Sequence, residues 1–177
     1  MNLKGTHTEE NLQQAMMGEA LAYIRYQIYA SLISKVSKDL AVKIEEIAHN
    51  EKEHFKVWAK LLYGEEYYNN ESNLISAIVG EVEECENLYP NFARIAREEG
   101  FDEIAEKFDM VSTIECHHSW QFEDFLDYIN NNKMDGTNQN GFICLNCGYI
   151  HKEDTAPDEC PVCAHPKEYF KYIEKGD

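Results

Sequence analysis

Four stretches of this chain repeat one arrangement: an apolar stripe at helical spacing with an acid set into it. The acids are Glu19, Glu51, Glu81 and Glu115. Glu51 opens a Glu-x-x-His that ends at His54, Glu115 opens another that ends at His118, and Glu81 is followed three residues on by Glu84. A carboxylate inside the apolar face of a helix is costly unless a positive partner neutralises it. No Lys or Arg shares these stripes, so metal is the positive partner the pattern calls for.

The stripes predict four helices. The first carries Leu12, Ala15, Met16, Glu19, Ala22, Tyr23, Tyr26, Ala30 and Ile33, with Thr6-x-x-Glu9 ahead of it as a capping box. The second carries Leu40, Ile44, Ile47, Glu51, His54, Trp58 and Leu61. The third carries Leu74, Ala77, Ile78, Glu81, Glu84, Cys85, Leu88, Phe92 and Ile95. Pro90 lies inside it and should kink it, because proline donates no backbone hydrogen bond. Gly100 is its expected stop. The fourth carries Ile104, Phe108, Val111, Glu115, His118, Phe122, Phe125 and Ile129. At about 25 residues each, these helices would be roughly 37 Å long. The links near Ser34 to Lys38 and at Gly100 are short. The stretch from Tyr63 to Ser72 is longer and, extended, could span about 33 Å along a helix. One long crossover between two helical hairpins is the ferritin-like connection. The acids repeat with it, since Glu19 and Glu51 are 32 residues apart and Glu81 and Glu115 are 34 apart. Glu and His three apart share a helix face, so both can reach one metal pair. Two such motifs with acids from two further helices form the ligand set of di-iron and di-manganese bundles. Carboxylates bridge hard cations, and imidazole suits iron. Glu84 is one acid more than a plain two-metal set needs. His117 points about 100° away from His118 and is expected on the surface or behind the ligands.

The expected organisation is an all-α ferritin-like four-helix bundle over 1–132, a linker over 133–141 and a small, mainly β and loop module over 142–177. That module contains Cys144-x-x-Cys147 and Cys160-x-x-Cys163, with twelve residues between the pairs. Two CxxC knuckles at this spacing predict a tetrahedral thiolate site for one metal ion, with iron and zinc both open on spacing alone. Cys85 and Cys116 fall within helices and are expected to be small buried packing residues, Cys85 close to the metal site. The chain has 33 acidic against 16 basic residues, a formal charge of −17. That balance argues against nucleic acid, whose phosphates need Lys and Arg, and against an anionic membrane surface. No stretch reads as a transmembrane helix, signal peptide or transit peptide, and a cytoplasmic location is expected.

Several runs carry a resemblance over essentially the whole chain. They are Gly18-Glu19-Ala20 with Arg25-Tyr26, Glu51-Lys52-Glu53-His54, Gly80-Glu81 through Glu84, and Tyr89-Pro90-Asn91-Phe92-Ala93-Arg94-Ile95-Ala96-Arg97-Glu98-Glu99-Gly100. With Glu115-x-x-His118 and the two cysteine pairs, they make the chain resemble the rubrerythrin family. Cys147-Gly148-Tyr149 and Cys160-Pro161-Val162-Cys163 are similar to rubredoxin and favour iron over zinc. The resemblance implies a homodimer of ferritin-like bundles and a peroxidase. It implies that Glu51 and Glu115 bridge two non-haem irons, that Glu19 binds one, and that Glu81 and His118 bind the other. It further implies that Glu84 holds the first iron when oxidised and His54 when reduced. Tyr26 and Tyr89 would hydrogen-bond the ligand carboxylates. One departure is Ala164, where rubredoxin-like knuckles usually have glycine; a strained or shifted turn is expected there.

The function expected is reduction of hydrogen peroxide to water for protection against oxidative stress. Electrons would arrive through the four-cysteine iron from an external reductase drawing on a nicotinamide cofactor. Family analogy, with a linker too flexible to fix distance in one chain, sets that donor against the partner subunit's bundle. The alternative is a ferroxidase or iron-storage protein, which would not need the cysteine module. A metal-loaded sensor with a structural zinc knob is a third reading.

Overall fold

The computed structural model describes residues 3–64, 67 and 69–176, which divide into two compact units, Met1–Asn69 and Asn70–Asp177. The fold is all-α with a small strand-and-loop module at its C-terminal end, as the patterning predicts.

The first unit is a helical hairpin of α1 (His7–Ile33) and α2 (Lys38–Tyr63). Thr6 caps α1 by accepting the Glu9 N–H at 3.1 Å. The return half of the capping box is displaced by one residue, because the Glu9 carboxylate accepts from Gly5 N–H rather than from Thr6. Ser37 caps α2 through the Leu40 N–H. Buried Ala30, Ala41, Ala48 and Ala59 let the two backbones pack closely. The crossover expected over Tyr63 to Ser72 includes residues 65, 66 and 68, which lie outside the described residues.

The second unit begins with α3 (Asn70–Glu83), which runs through a π-helical turn (Glu84–Leu88) into α4 (Tyr89–Glu98). The kink expected at Pro90 is replaced by this turn. Proline cannot donate to the carbonyl four residues back and crowds it. Widening the helix moves the closing bond instead to Tyr89 N–H onto the Glu84 carbonyl. The extra residue shifts the buried face by one position. Phe92 and Ile95, expected inward, are each more than a third exposed, and Ala93 and Ala96 are buried instead. Ala93 and Ala96 pack with Ala105 and Phe108 of α5 (Asp102–Asn131). Tyr89, Phe92 and Phe108 cluster beside them, with ring centroids 5.5 to 6.3 Å apart.

A three-stranded antiparallel sheet follows, ordered β2 (Ile150–His151), β1 (Gly141–Cys144) and β3 (Phe170–Ile173). The linker is more tightly held than its composition suggests. Asp124 on α5 accepts the Asp135 N–H at 2.6 Å, and Asn140 accepts the Lys175 N–H at 2.7 Å. The Gly176 N–H donates to the Thr137 carbonyl. The module also lies on α5 of the same unit. Ile114 Cγ2 sits where a Cβ on Gly148 would be 3.1 Å away, and Lys107 Nζ donates to the Pro161 carbonyl. This second covered face explains why Ile114 and His117 are buried on α5 although neither belongs to the expected stripe.

Candidate metal centres

In the first unit α2 carries Glu51 and His54 one turn apart, and α1 brings Glu19 across to them. His54 Nδ1 is 3.0 Å from a Glu51 oxygen and 3.8 Å from a Glu19 oxygen. In the second unit α5 carries Glu115 and His118, and α3 brings Glu81. His118 Nδ1 is 2.7 Å from a Glu115 oxygen and 3.5 Å from a Glu81 oxygen. Within each triad the donor atoms lie within 4.8 Å of one another. Six of the seven residues singled out in the helices thus fall into two matching triads. Glu84 belongs to neither; it opens the π turn one helical turn beyond Glu81.

The four triad carboxylates are mostly withdrawn from solvent. Burial pushes the Glu115 carboxyl up, His118 opposes this, and Glu81 adds to the rise. Burial also raises the Tyr89 phenol, and the charges of Glu84, Glu115 and Glu81 raise it further. Tyr89 therefore keeps its phenolic proton within the field of these acids. Tyr26 lies half-buried on α1, its ring 6.1 Å from that of Tyr29. Trp58 belongs to the apolar stripe by its spacing, yet its indole Nε1 donates to Glu19 at 3.4 Å. Its position seven residues after Glu51, on the same face, was the available signal.

His117 is not on the surface. It is buried, it stacks on Trp120 at 5.9 Å, and its Nδ1 has no hydrogen-bond partner among the described residues. Burial lowers its affinity for a proton. Cys85 and Cys116 are likewise not separate packing residues. They form a disulfide joining the π turn to α5, with Cα atoms 5.1 Å apart. Cys85 is half-buried, and Cys116 is exposed.

In the module the four expected cysteines converge. Cys144 and Cys163 sulfurs are 3.7 Å apart, and Cys147 and Cys160 sulfurs 3.6 Å. Tetrahedral thiolates about 2.3 Å from one ion stand about 3.8 Å from each other. Two matching knuckles achieve this. Gly148 N–H donates to the Cys144 carbonyl and Ala164 N–H to the Cys160 carbonyl. Both knuckles need a left-handed residue, with φ 79° at Gly148 and 56° at Ala164. Alanine therefore takes the turn in its usual form without shifting it. Burial pushes the Cys163 thiol up, but hydrogen bonds from the His165 backbone and from Cys147 and Asn146 outweigh it and bring it to about 6. Burial dominates at Cys147 and Cys160, which are both raised. The Gly148 knuckle also reaches the helical site, since a Cβ there would come within 3.2 Å of His118 Nε2.

Carboxylates with imidazole suit iron, and four thiolates at tetrahedral spacing suit iron or zinc. The donor sets fit two iron ions among the helices and one in the four-cysteine site.

The comparisons with known proteins agree with this chemistry. A family model described as rubrerythrin matches residues 10–127, and one described as the rubredoxin-like domain of rubrerythrin matches 142–171. The rubrerythrin of Nitratidesulfovibrio vulgaris is 37% identical over 188 residues, covering 97% of each chain. Rubrerythrin-1 of Clostridium acetobutylicum is 35% identical over 192 residues, covering 99% of this chain and 98% of its own. A solved structure of fully reduced, all-ferrous nigerythrin is 28% identical, covers 94% of this chain and 86% of its own, and superposes with a TM-score of 0.40. No helix among the described residues is long and apolar enough to cross a membrane.

Proposed function

The chain belongs to the rubrerythrin family, and on that premise we propose that it reduces hydrogen peroxide to water. The observation that carries the proposal is the close approach of the Gly148 knuckle to His118, where a Cβ on Gly148 would stand 3.2 Å from the imidazole Nε2. It sets a thiolate metal site against a ligand of a carboxylate and histidine site, an arrangement that iron storage alone does not require. Iron held by these residues would supply the two electrons that peroxide takes up.

The residues have distinct parts in this reading. Glu19, Glu51 and His54 are proposed as iron ligands on the first unit, and Glu81, Glu115 and His118 on the second. Glu51 and Glu115 are the proposed bridges. Glu84 and His54 are proposed as alternative ligands to the same ion, the carboxylate favouring the higher charge. Tyr89 keeps its phenolic proton beside Glu84, Glu115 and Glu81. Electrons are proposed to enter at Cys147 and Cys163, which are partly exposed where Cys144 and Cys160 are buried. The donor would be a separate cytoplasmic reductase that draws on a nicotinamide cofactor. A homodimer is part of the proposal. Met17, Leu21, Ile24, Ile28 and Leu32 recur at helical spacing on α1, each more than half exposed, and a second copy would cover them.

The test is to reduce the iron-loaded protein without air and mix it with hydrogen peroxide or with dioxygen in a stopped-flow spectrometer. The ferric-thiolate colour should return fast with peroxide and slowly with dioxygen. A faster response to dioxygen with release of ferric iron would replace this reading with the ferroxidase one.

A further inference from the structure

We propose that Cys85 and Cys116 are a peroxide-responsive thiol pair whose disulfide pins the Glu84 turn to α5. The two cysteines are neither remote nor arbitrary in position. Cys85 directly follows Glu84 in the π turn, and Cys116 directly follows Glu115 on α5. Their Cα atoms, 5.1 Å apart, lie in the range of a disulfide. Four other cysteines of the chain must remain thiolates to hold a metal. A pair placed to close a disulfide beside thiolates that stay reduced can be oxidised selectively, which in a thiol-keeping environment is the behaviour of a redox-sensing pair.

Access differs between the two sulfurs. Cys116 is exposed and lines a groove of about 630 Å³ between α5 and the module, walled by Met110, Thr113, Gly148 and His151. A molecule the size of peroxide enters it freely. Cys85 is half-buried behind the turn. The first attack is therefore assigned to Cys116. Its sulfur bonds to one peroxide oxygen, the O–O bond breaks, and one water leaves with the thiol proton, giving a sulfenic acid. Cys85 sulfur then attacks that sulfur, the S–O bond breaks, and a second water leaves. Two thiols lose two electrons and two protons, and one peroxide becomes two waters.

The pair can open without loss of the fold around it. Ser112 Oγ donates to the Cys85 carbonyl at 2.8 Å and holds that backbone to α5 whether or not the sulfurs are joined. What changes is the freedom of the turn that carries Glu84. Its consequence for ligand exchange rests on the peroxidase reading above; the thiol chemistry does not.

The test uses the iron-loaded full chain with its thiols reduced. Hydrogen peroxide is added, and Cys85 and Cys116 are read by differential alkylation and peptide mass spectrometry, with the ferric-thiolate colour followed in the same sample. Both thiols should be lost together as one linked peptide and recovered with a dithiol. Cys85→Ser should trap a sulfenic acid at Cys116, and Cys116→Ser should leave Cys85 alkylatable. Amide exchange over residues 84–88 should slow in the linked form. Thiols that stay alkylatable, oxidation that starts at Cys85, a bond that no dithiol reopens in the folded protein, or unchanged amide exchange would each overturn the proposal. Linkage without return of colour would instead overturn the peroxidase reading and leave this one standing.

Discussion

The two triads have the same composition and unequal surroundings. Glu19, Glu51 and His54 lie on a plain hairpin of two helices, and the His54 side chain is 55% exposed. Glu81, Glu115 and His118 lie beside a π turn, a disulfide and the cysteine module, and the His118 side chain is 36% exposed. The Gly148 backbone closes against His118 Nε2; the polar neighbour of the first triad is Trp58 on Glu19. A near-repeat in sequence has thus become one braced histidine and one open one. The difference teaches that a shared Glu-x-x-His does not fix a histidine's mobility; the neighbouring elements do.

The comparison can be broken by substitution. The largest effect is expected from Glu115→Gln or Glu51→Gln, each removing a proposed bridge. Iron affinity, measured by titration with metal analysis of the bound fraction, should fall by more than the roughly 100-fold that loss of a mere supporting partner costs. Retention of both irons in either variant would rule that residue out as a bridge. A smaller and unequal effect should come from the histidines. His118→Ala should lower iron affinity on the order of tenfold or more beyond His54→Ala. Equal losses would erase the distinction between braced and open sites.

The two cysteine knuckles sharpen the same lesson. Thiolate ligands must shed protons to bind metal, so affinity falls as pH falls. With its thiol at about 6, Cys163 has already lost its proton above that pH, whereas Cys147 and Cys160 have not. Titrating apo protein with metal at several pH values should show the slope of log affinity steepen by about one unit as pH drops through 6, a further tenfold loss per pH unit. A slope constant across that range would mean Cys163 is not distinct. The smallest effect concerns Ala164, whose left-handed backbone is unfavourable for a residue with a Cβ. Ala164→Gly should stabilise the module by about 1 kcal/mol in denaturant melts. Gly148→Ala should act in the opposite sense, since it adds contact with His118 to the same backbone cost. Equal and opposite shifts would mean that the knuckle contact with α5 contributes nothing.

Much of the candidate site was legible because its signals are periodic. Glu51 with His54 and Glu115 with His118 share a face by spacing alone, and the CxxC pairs define their own geometry. What was not legible depends on contacts between distant segments. Cys85 and Cys116 are 31 residues apart, and each also fits a helical packing position. The burial of His117 and Ile114 comes from a module that follows a polar linker, whose composition says nothing of where it leads. The π turn had only Pro90 as a sign, and proline predicts a break more readily than a widening. Trp58 shows in the sequence only as apolar bulk, because an indole N–H shows no preference for a carboxylate until a neighbouring helix supplies one.

The widened turn between Glu84 and Leu88 leaves one further consequence. It acts as a dislocation in an otherwise regular lattice: one surplus residue re-indexes everything after it by about 100°. Upstream of it the helix is aimed by Glu81 at the triad, and downstream by Ala93 and Ala96 at α5. The two aims are set independently on a single rod. Either half can change its facing residues without turning the other, provided the surplus residue is kept.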